Sequence, residues 1–227
     1  PGGGDVTVSL RRNRQAKRLS LRIGPDGRVV LTAPMRSAAR EIERFLVSQR
    51  AWLALHLSRL PQPVAFAPGA VVPLRGIPHR LCHTPGARRG VWTEAGAIHV
   101  SGAPAHFARR LTDWLQREAR TALTERASAH AATLGRRFAR VGVRDTVSRW
   151  GSCSSTGVLS FSWRLILAPE AVLDYVAAHE VAHLAERNHG PAFWAAVGAL
   201  CPDFETARQW LRREGTTLHR YGANGKD

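Results

Sequence analysis

Residues 175–194 read YVAAHEVAHLAERNHGPAFW, three histidines and two glutamates in an otherwise apolar run. His179 and His183 are four residues apart. At roughly 100° and 1.5 Å per residue they stand about 40° apart around a helix and one turn along it. Two imidazoles in that relation can share one zinc ion at about 2.0–2.1 Å each. Glu180, next to the first of them, can reach a water in an open coordination position rather than the metal. This is the HExxH arrangement, His179-Glu180-Val181-Ala182-His183. The bland alternative is a pair of core histidines satisfied by hydrogen bonds. Burying three polar side chains in an apolar helix is costly unless each is paired, so one catalytic zinc ion is the expectation.

A catalytic zinc needs a third protein ligand. His189 follows His179 by ten residues, and on a straight helix it would lie about 15 Å further along. The helix must therefore end and the chain turn back. Asn188 tolerates a left-handed backbone and Gly190-Pro191 does not continue a helix easily, so a break is expected there. Glu186 and Glu205 are the rival ligands, and His189 is preferred. The spacing also matches HExxHxxGxxH, but Glu186 stands in place of the glycine. The one methionine, Met35, lies far upstream, so no Met-turn can follow. That pattern is rejected.

The elements that must position these groups are legible in part. Residues 7–10 and 19–23 alternate apolar and polar, as half-buried strands do. Pro25-Asp26-Gly27 supplies a turn into a strand at 28–33, completing a hairpin. Ser37 and Ser48 are candidate caps of two helices between 37 and 60, with a connector at 61–68. Strand-like runs at 71–82 and 91–100 follow. From 104 to 134 the spacing becomes helical, with Phe107, Leu111 and Leu115 on one face and Gly135 at C′. Strands are predicted near 140–143 and at 158–167. Pro169 and Glu170 then open the HExxH helix, whose Val172, Val176, His179 and His183 share the inward face. The fold class is α+β, with a strand-rich N-terminal lobe at 1–100 and the catalytic half at 101–227.

Composition narrows the setting. Three scattered cysteines, Cys82, Cys153 and Cys201, contain no CxxC pair, which fits a reducing compartment, and the cytoplasm is expected. No uncharged apolar run reaches the roughly 18 residues of a membrane helix, so no membrane association is expected. The formal charge is +16. Arg11, Arg12, Arg14, Lys17, Arg18 and Arg22 form a basic run that could bind nucleic acid weakly through phosphates. No aromatic residue is interleaved for base stacking, and an arginine-rich composition alone explains the charge equally well.

The stretch SRWGSCSSTGVLSFSWRLILAPEAVLDYVAAHEVAHLAERNHGPAFW, residues 148–194, resembles the YgjP-like metal-dependent hydrolases, relatives of the SprT-like zinc metallopeptidases. The combination of RWGSCS, WRL, HExxH and NHxxxFW carries the likeness. RRNRQAKRLSLRIGPDGRVVLTAP and RQWLRREG extend it. The resemblance implies a zincin-like catalytic half, with His179, His183 and His189 as metal ligands and Glu180 as general base. It also suggests the strand at 158–167 as the one that binds an extended substrate by edge pairing. Arg164 on that strand is either a substrate or oxyanion contact or a solvated arginine. Cys153 reads as structural, and Phe193 and Trp194 as packing behind His189.

The chemistry expected is metal-assisted hydrolysis, with Glu180 taking a proton from water and passing it to the leaving amine of a peptide or protein substrate. Two other readings stay open. The same metal beside a basic cleft could hydrolyse the phosphoanhydride of a nucleotide. Alternatively, the chain could be a nucleic-acid-associated module with a structural zinc.

Overall fold

The apolar alternation of the first 34 residues becomes a three-stranded sheet. β1 (Val8–Asn13), β2 (Ser20–Ile23) and β3 (Val29–Pro34) lie in the order β1-β3-β2. β2 and β3 are antiparallel, as the predicted hairpin requires, and β1 runs parallel to β3. The computed structural model describes residues 6–24, 27–59 and 62–222, so Pro25 and Asp26 of the expected turn, and Pro61 at the head of the expected connector, lie outside the described residues. Leu31, Ala33 and Ile42 are buried together, with Val8, Leu19, Leu21, Phe45 and Leu46 packed around them. Helix α1 (Ala39–Ser48) supplies Ile42, Phe45 and Leu46, and α2 (Arg50–Ser58) follows it. Neither is capped by the expected serine: Ala38 and Gln49 hold the N-cap positions, and the Ser48 hydroxyl donates to the Phe45 carbonyl instead.

The basic run divides between the two faces of this sheet. Arg11 pairs with Thr32 and Arg22 with Val30, on the face opposite Leu31. Arg12, in register with Ala33, turns its guanidinium to the loop after β3 and donates to the carbonyls of Pro34, Met35 and Ser37 at 3.4, 2.9 and 3.0 Å. Arg12 therefore holds a turn.

The chain forms two compact units, Pro1–Gln62 and Pro63–Asp227. Residues 63–100, grouped by sequence with the N-terminal lobe, fall in the second. They form a four-stranded sheet of order β4-β5-β7-β6: β4 (Val71–Leu74), β5 (Ile77–His83), β6 (Val91–Glu94) and β7 (Ala97–Val100). The run at 71–82 is thus two strands. Arg75 and Gly76, both at positive φ (52° and 79°), make the two-residue hairpin turn that matches strand twist.

The long helix α3 (Phe107–Thr133) is the scaffold of this unit. Phe107, Leu111, Trp114, Leu115, Ala119 and Ala122 recur at helical spacing and are buried. The same helix packs against β6, β7, the segment at 163–167 and the helix that carries the histidines. It ends as expected at Gly135 (φ 63°), with Gly135 N–H on the Ala132 carbonyl and Arg136 N–H on that of Ala131, the paired bonds of a Schellman motif.

A third sheet has the order β8-β10-β9, from β8 (Arg140–Arg144), β9 (Gly151–Cys153) and β10 (Val158–Ser162). The strand expected over 158–167 ends at Ser162. Residues 163–167 form a short 3₁₀ turn buried on every side. α4 (Glu170–Ala182), α5 (Pro191–Leu200) and α6 (Phe204–Glu214) complete the unit. No helix among the described residues is long and apolar enough to cross a membrane.

The β4–β5 turn docks on the entry to α4. Arg75 N–H donates to the Ile166 carbonyl at 2.7 Å, and Gly76 N–H to that of Leu167 at 3.2 Å. A Cβ at Gly76 would stand 2.9 Å from the Pro169 Cα, a backbone atom that cannot swing aside. Gly76→Ala therefore combines left-handed strain with a backbone collision. It should destabilise the protein by about 1–3 kcal/mol, read as a lowered denaturant midpoint. Wild-type stability would show that this turn does not brace α4.

Candidate metal centre

α4 is built to be buried. Val172, Leu173, Tyr175, Val176, Ala177, Ala178, Val181 and Ala182 are all inside, so the helix is enclosed on almost all sides rather than on one stripe. Pro169 is its N-cap residue and Glu170 lies in the first turn, where a negative charge meets the positive end of the helix. The helix stops at Ala182, with His183 as C-cap. Leu184 and Ala185 then bond back to Val181 and Ala182, tightening the exit into a turn. The chain returns through residues 186–189. Gly190 is the N-cap residue of α5, and Pro191 occupies its first turn, where a missing N–H costs nothing. The predicted break is present, but it falls at the second histidine, before Asn188 is reached.

This early stop brings the three imidazoles together. One nitrogen from each of His179, His183 and His189 lies within 4.8 Å of the others. The Nε2 atoms of His179 and His189 are 3.2 Å apart. Two ligands each about 2.0–2.1 Å from zinc at a tetrahedral angle are separated by about 3.3 Å, so the pair already has the separation of a shared ion. His183 donates its Nδ1 proton to the Glu186 carbonyl at 3.0 Å, which leaves Nε2 as its free lone pair. Burial pushes His179 down to about 4, and the nearby His183 and His189 push it the same way. Burial also lowers His183, against the Glu186 carbonyl. Neutral imidazoles are the form a metal ion needs, and the donor set suits zinc.

Phe193, fully buried on α5, is the floor of the triad. Its ring centroid lies 4.9, 4.5 and 4.7 Å from those of His179, His183 and His189. Trp194 closes from the side, 5.9 Å from both His179 and His189, and is itself stacked on Phe204 and covered by the Arg208 guanidinium. The packing role expected of Phe193 and Trp194 is theirs, and it extends to all three histidines. Tyr175, one turn before His179 and edge-on to it at 5.8 Å, was not singled out by sequence. Its spacing from His179 was the available signal.

Glu180 is 5% exposed, and its carboxyl is pushed up to about 8, chiefly by burial, with Arg149 acting against the shift. Among the described residues it makes no hydrogen bond or ion pair. Its side chain lies against Gly151 so closely that a Cβ there would sit 2.5 Å from Oε1. Only glycine allows this approach of strand to carboxylate. A cleft of about 490 Å³ opens here, lined by residues 151–155, His179, Glu180, His183, Arg187 and His189. Cys153 lies in it, and burial pushes its thiol up, which favours an inert thiol over a nucleophilic thiolate.

Two sequence expectations are placed differently, while the two rival ligands stand apart from the triad. Glu205 pairs with Arg208 at 3.1 Å, and Glu186 meets His183 through its backbone, so neither carboxylate joins the triad. Arg164 is buried and neither solvated nor in the cleft. It grips Asp145 at 2.9 Å and donates to the carbonyls of Leu218 and Tyr221, tying the C-terminal segment down. The edge strand is also reassigned. β10 lies between β8 and β9 with both edges paired, whereas β9, bordering the cleft, pairs among the described residues with β10 alone. A three-residue strand between two loops leaves no periodicity to read, so sequence reasoning missed it.

A family model described as the YgjP-like metallopeptidase domain matches residues 17–214. No curated protein matches the chain. Among solved structures, the chain is similar to the metallopeptidase zymogen of Pyrococcus abyssi abylysin, at 23% identity over 44% of this chain and 97% of that one, with a TM-score of 0.38. The family match spans most of the sequence and includes every residue of the triad and its cleft, so the chain belongs to the YgjP-like metallopeptidase family.

Proposed function

We propose that the chain is a zinc-dependent peptidase of zincin type, with His179, His183 and His189 as metal ligands and Glu180 as general base. The observation that carries this reading is the convergence of three imidazole nitrogens within 4.8 Å beside a buried carboxyl group that has no partner among the described residues. A bound zinc ion would supply a Lewis acid that acidifies water and polarises a carbonyl. The remaining work falls to the protein. The β9 edge offers free backbone groups to an extended peptide and lays its scissile bond across the triad. Glu180 takes a proton from water and delivers it to the departing amine. Burial alone would keep this carboxyl protonated near neutrality. A divalent cation on the adjacent imidazoles favours its ionised form, the one a base requires. Phe193 and the turn after Ala182 hold the imidazoles in place, so little reorganisation accompanies the reaction.

Glu180→Gln keeps the shape of the side chain against Gly151 but cannot accept the proton. Zinc content should stay at the wild-type level while peptide hydrolysis falls by a factor of about 10²–10⁴. Near-full activity on a validated peptide would remove Glu180 from the base role.

His189→Ala should weaken zinc binding by more than about a hundredfold, since even outer-shell partners of a metal are worth about 10–100-fold. Glu186→Ala and Glu205→Ala should bind like wild type, because the first keeps its carbonyl for His183 and the second never reaches the triad. Competitive chelator titration of the three variants separates the cases. Tight binding retained in His189→Ala would transfer the third position to another residue.

A further inference from the structure

A second depression, about 440 Å³, adjoins the metal cleft and shares Cys153, Ser154, Ser155, His183 and Arg187 with it. Among the described residues no carboxylate lines it, while Arg136, Arg137 and Arg187 all do. None of the three arginines has an ion-pair partner within 4 Å among the described residues. Among the described residues of this unit only Arg75, Arg126, Arg164 and Arg208 have such a partner, so what marks these three is their convergence on one depression whose described lining holds no carboxylate. The positions of the lining residues are fixed by backbone bonds. The Schellman motif that ends α3 sets Arg136 directly after Gly135. The tight turn after β9, closed by Gly157 N–H on the Ser154 carbonyl, sets the hydroxyl residues opposite. Ser154 and Thr156 bond to each other within this turn, so the Ser155 hydroxyl is the one left without an intramolecular partner among the described residues.

We infer that Arg136, Arg137 and Arg187, with the Ser155 hydroxyl, form a subsite for an anionic group of the substrate, a carboxylate or a phosphate, beside the metal centre. This rests on the hydrolase reading above and deepens it by naming a substrate class. A peptide paired along the β9 edge continues toward the turn at 154–157, so a side chain beyond the scissile bond arrives among the arginines. A carboxylate there gains attraction from three cations and meets no opposing charge in the lining. A lysine at the same place meets three like charges. The guanidinium forks suit either carboxylate or phosphate oxygens.

The test uses the zinc-loaded full chain and three probes: a fluorescent peptide containing glutamates, its glutamine isostere, and inorganic tripolyphosphate as competitor. Binding is read by fluorescence polarisation at several salt concentrations, and cleavage of the two peptides is followed separately. The glutamate peptide should bind about tenfold more tightly than the isostere, as expected for a few partly exposed ion pairs, and the preference should shrink as salt rises. Arg136→Glu combined with Arg137→Glu should abolish or reverse the preference while zinc content and Tm stay at wild-type values. Displacement of the peptide by micromolar tripolyphosphate, lost in the same variant, would also support the subsite and identify phosphate as the anion it favours. Equal binding of the two peptides, together with tripolyphosphate competition unaffected by the charge reversal, would overturn the inference. The two readings fail separately. Arginine-dependent discrimination without any cleavage keeps the subsite and defeats the peptidase, whereas efficient cleavage of both peptides with equal binding, and with tripolyphosphate competition indifferent to the charge reversal, does the opposite.

Discussion

Imidazoles crowded around one point cannot all be protonated, and in this chain they are crowded by the termination of a single helix. A continuous α4 would carry His189 about 15 Å beyond His179. The helix instead stops at Ala182, and the return through residues 186–189 sets two Nε2 atoms 3.2 Å apart. Burial holds His179 far below its ordinary range, so the lone pairs stay available. The surrounding architecture serves this convergence. Phe193 supports all three rings from beneath, α3 and α6 pack along α4, and the β4–β5 turn is bonded to the segment that leads into it.

The same enclosure sets the state of Glu180. A carboxyl buried against the backbone of β9, with no donor to satisfy it among the described residues, is held in its neutral form, and the nearby Arg149 offsets only part of this. Such a group is poorly placed for stability and well placed to respond to a cation at the adjacent imidazoles. Gly151 is the condition for this arrangement, because any side chain there would occupy the space of the carboxylate. The RWGSC segment thus brings a strand edge unpaired among the described residues and the buried acid to the same wall of one cleft.

The triad was legible because its signal is local: a four-residue spacing on an apolar helix, then a histidine beyond a Gly-Pro break. Helix α3 and its end at Gly135 were legible for the same reason. What sequence missed was decided by distant partners. Arg164 alternates like an outward residue, but Asp145 and carbonyls of Leu218 and Tyr221, more than fifty residues on, draw it inside. Ser37 and Ser48 have cap chemistry, yet the α1 and α2 entries are held by Ala38 and Gln49. The four strands at 71–100 read as part of an N-terminal lobe, but Val72, Leu81, Ile98 and Val100 share a core with α3, a pairing no local pattern announces. Strand order is likewise invisible in the alternation of 158–162, so the free edge at β9 needed the assembled sheet.

The central claim is that three imidazole nitrogens, and no sulfur, bind one metal ion. Zinc-edge X-ray absorption on the full chain loaded with a single equivalent of zinc tests it most directly. The predicted spectrum has about four nitrogen or oxygen neighbours near 2.0–2.1 Å, with outer-shell scattering from three imidazole rings. A sulfur neighbour near 2.3 Å, which would bring in Cys153, or a shell of oxygen alone would contradict the account.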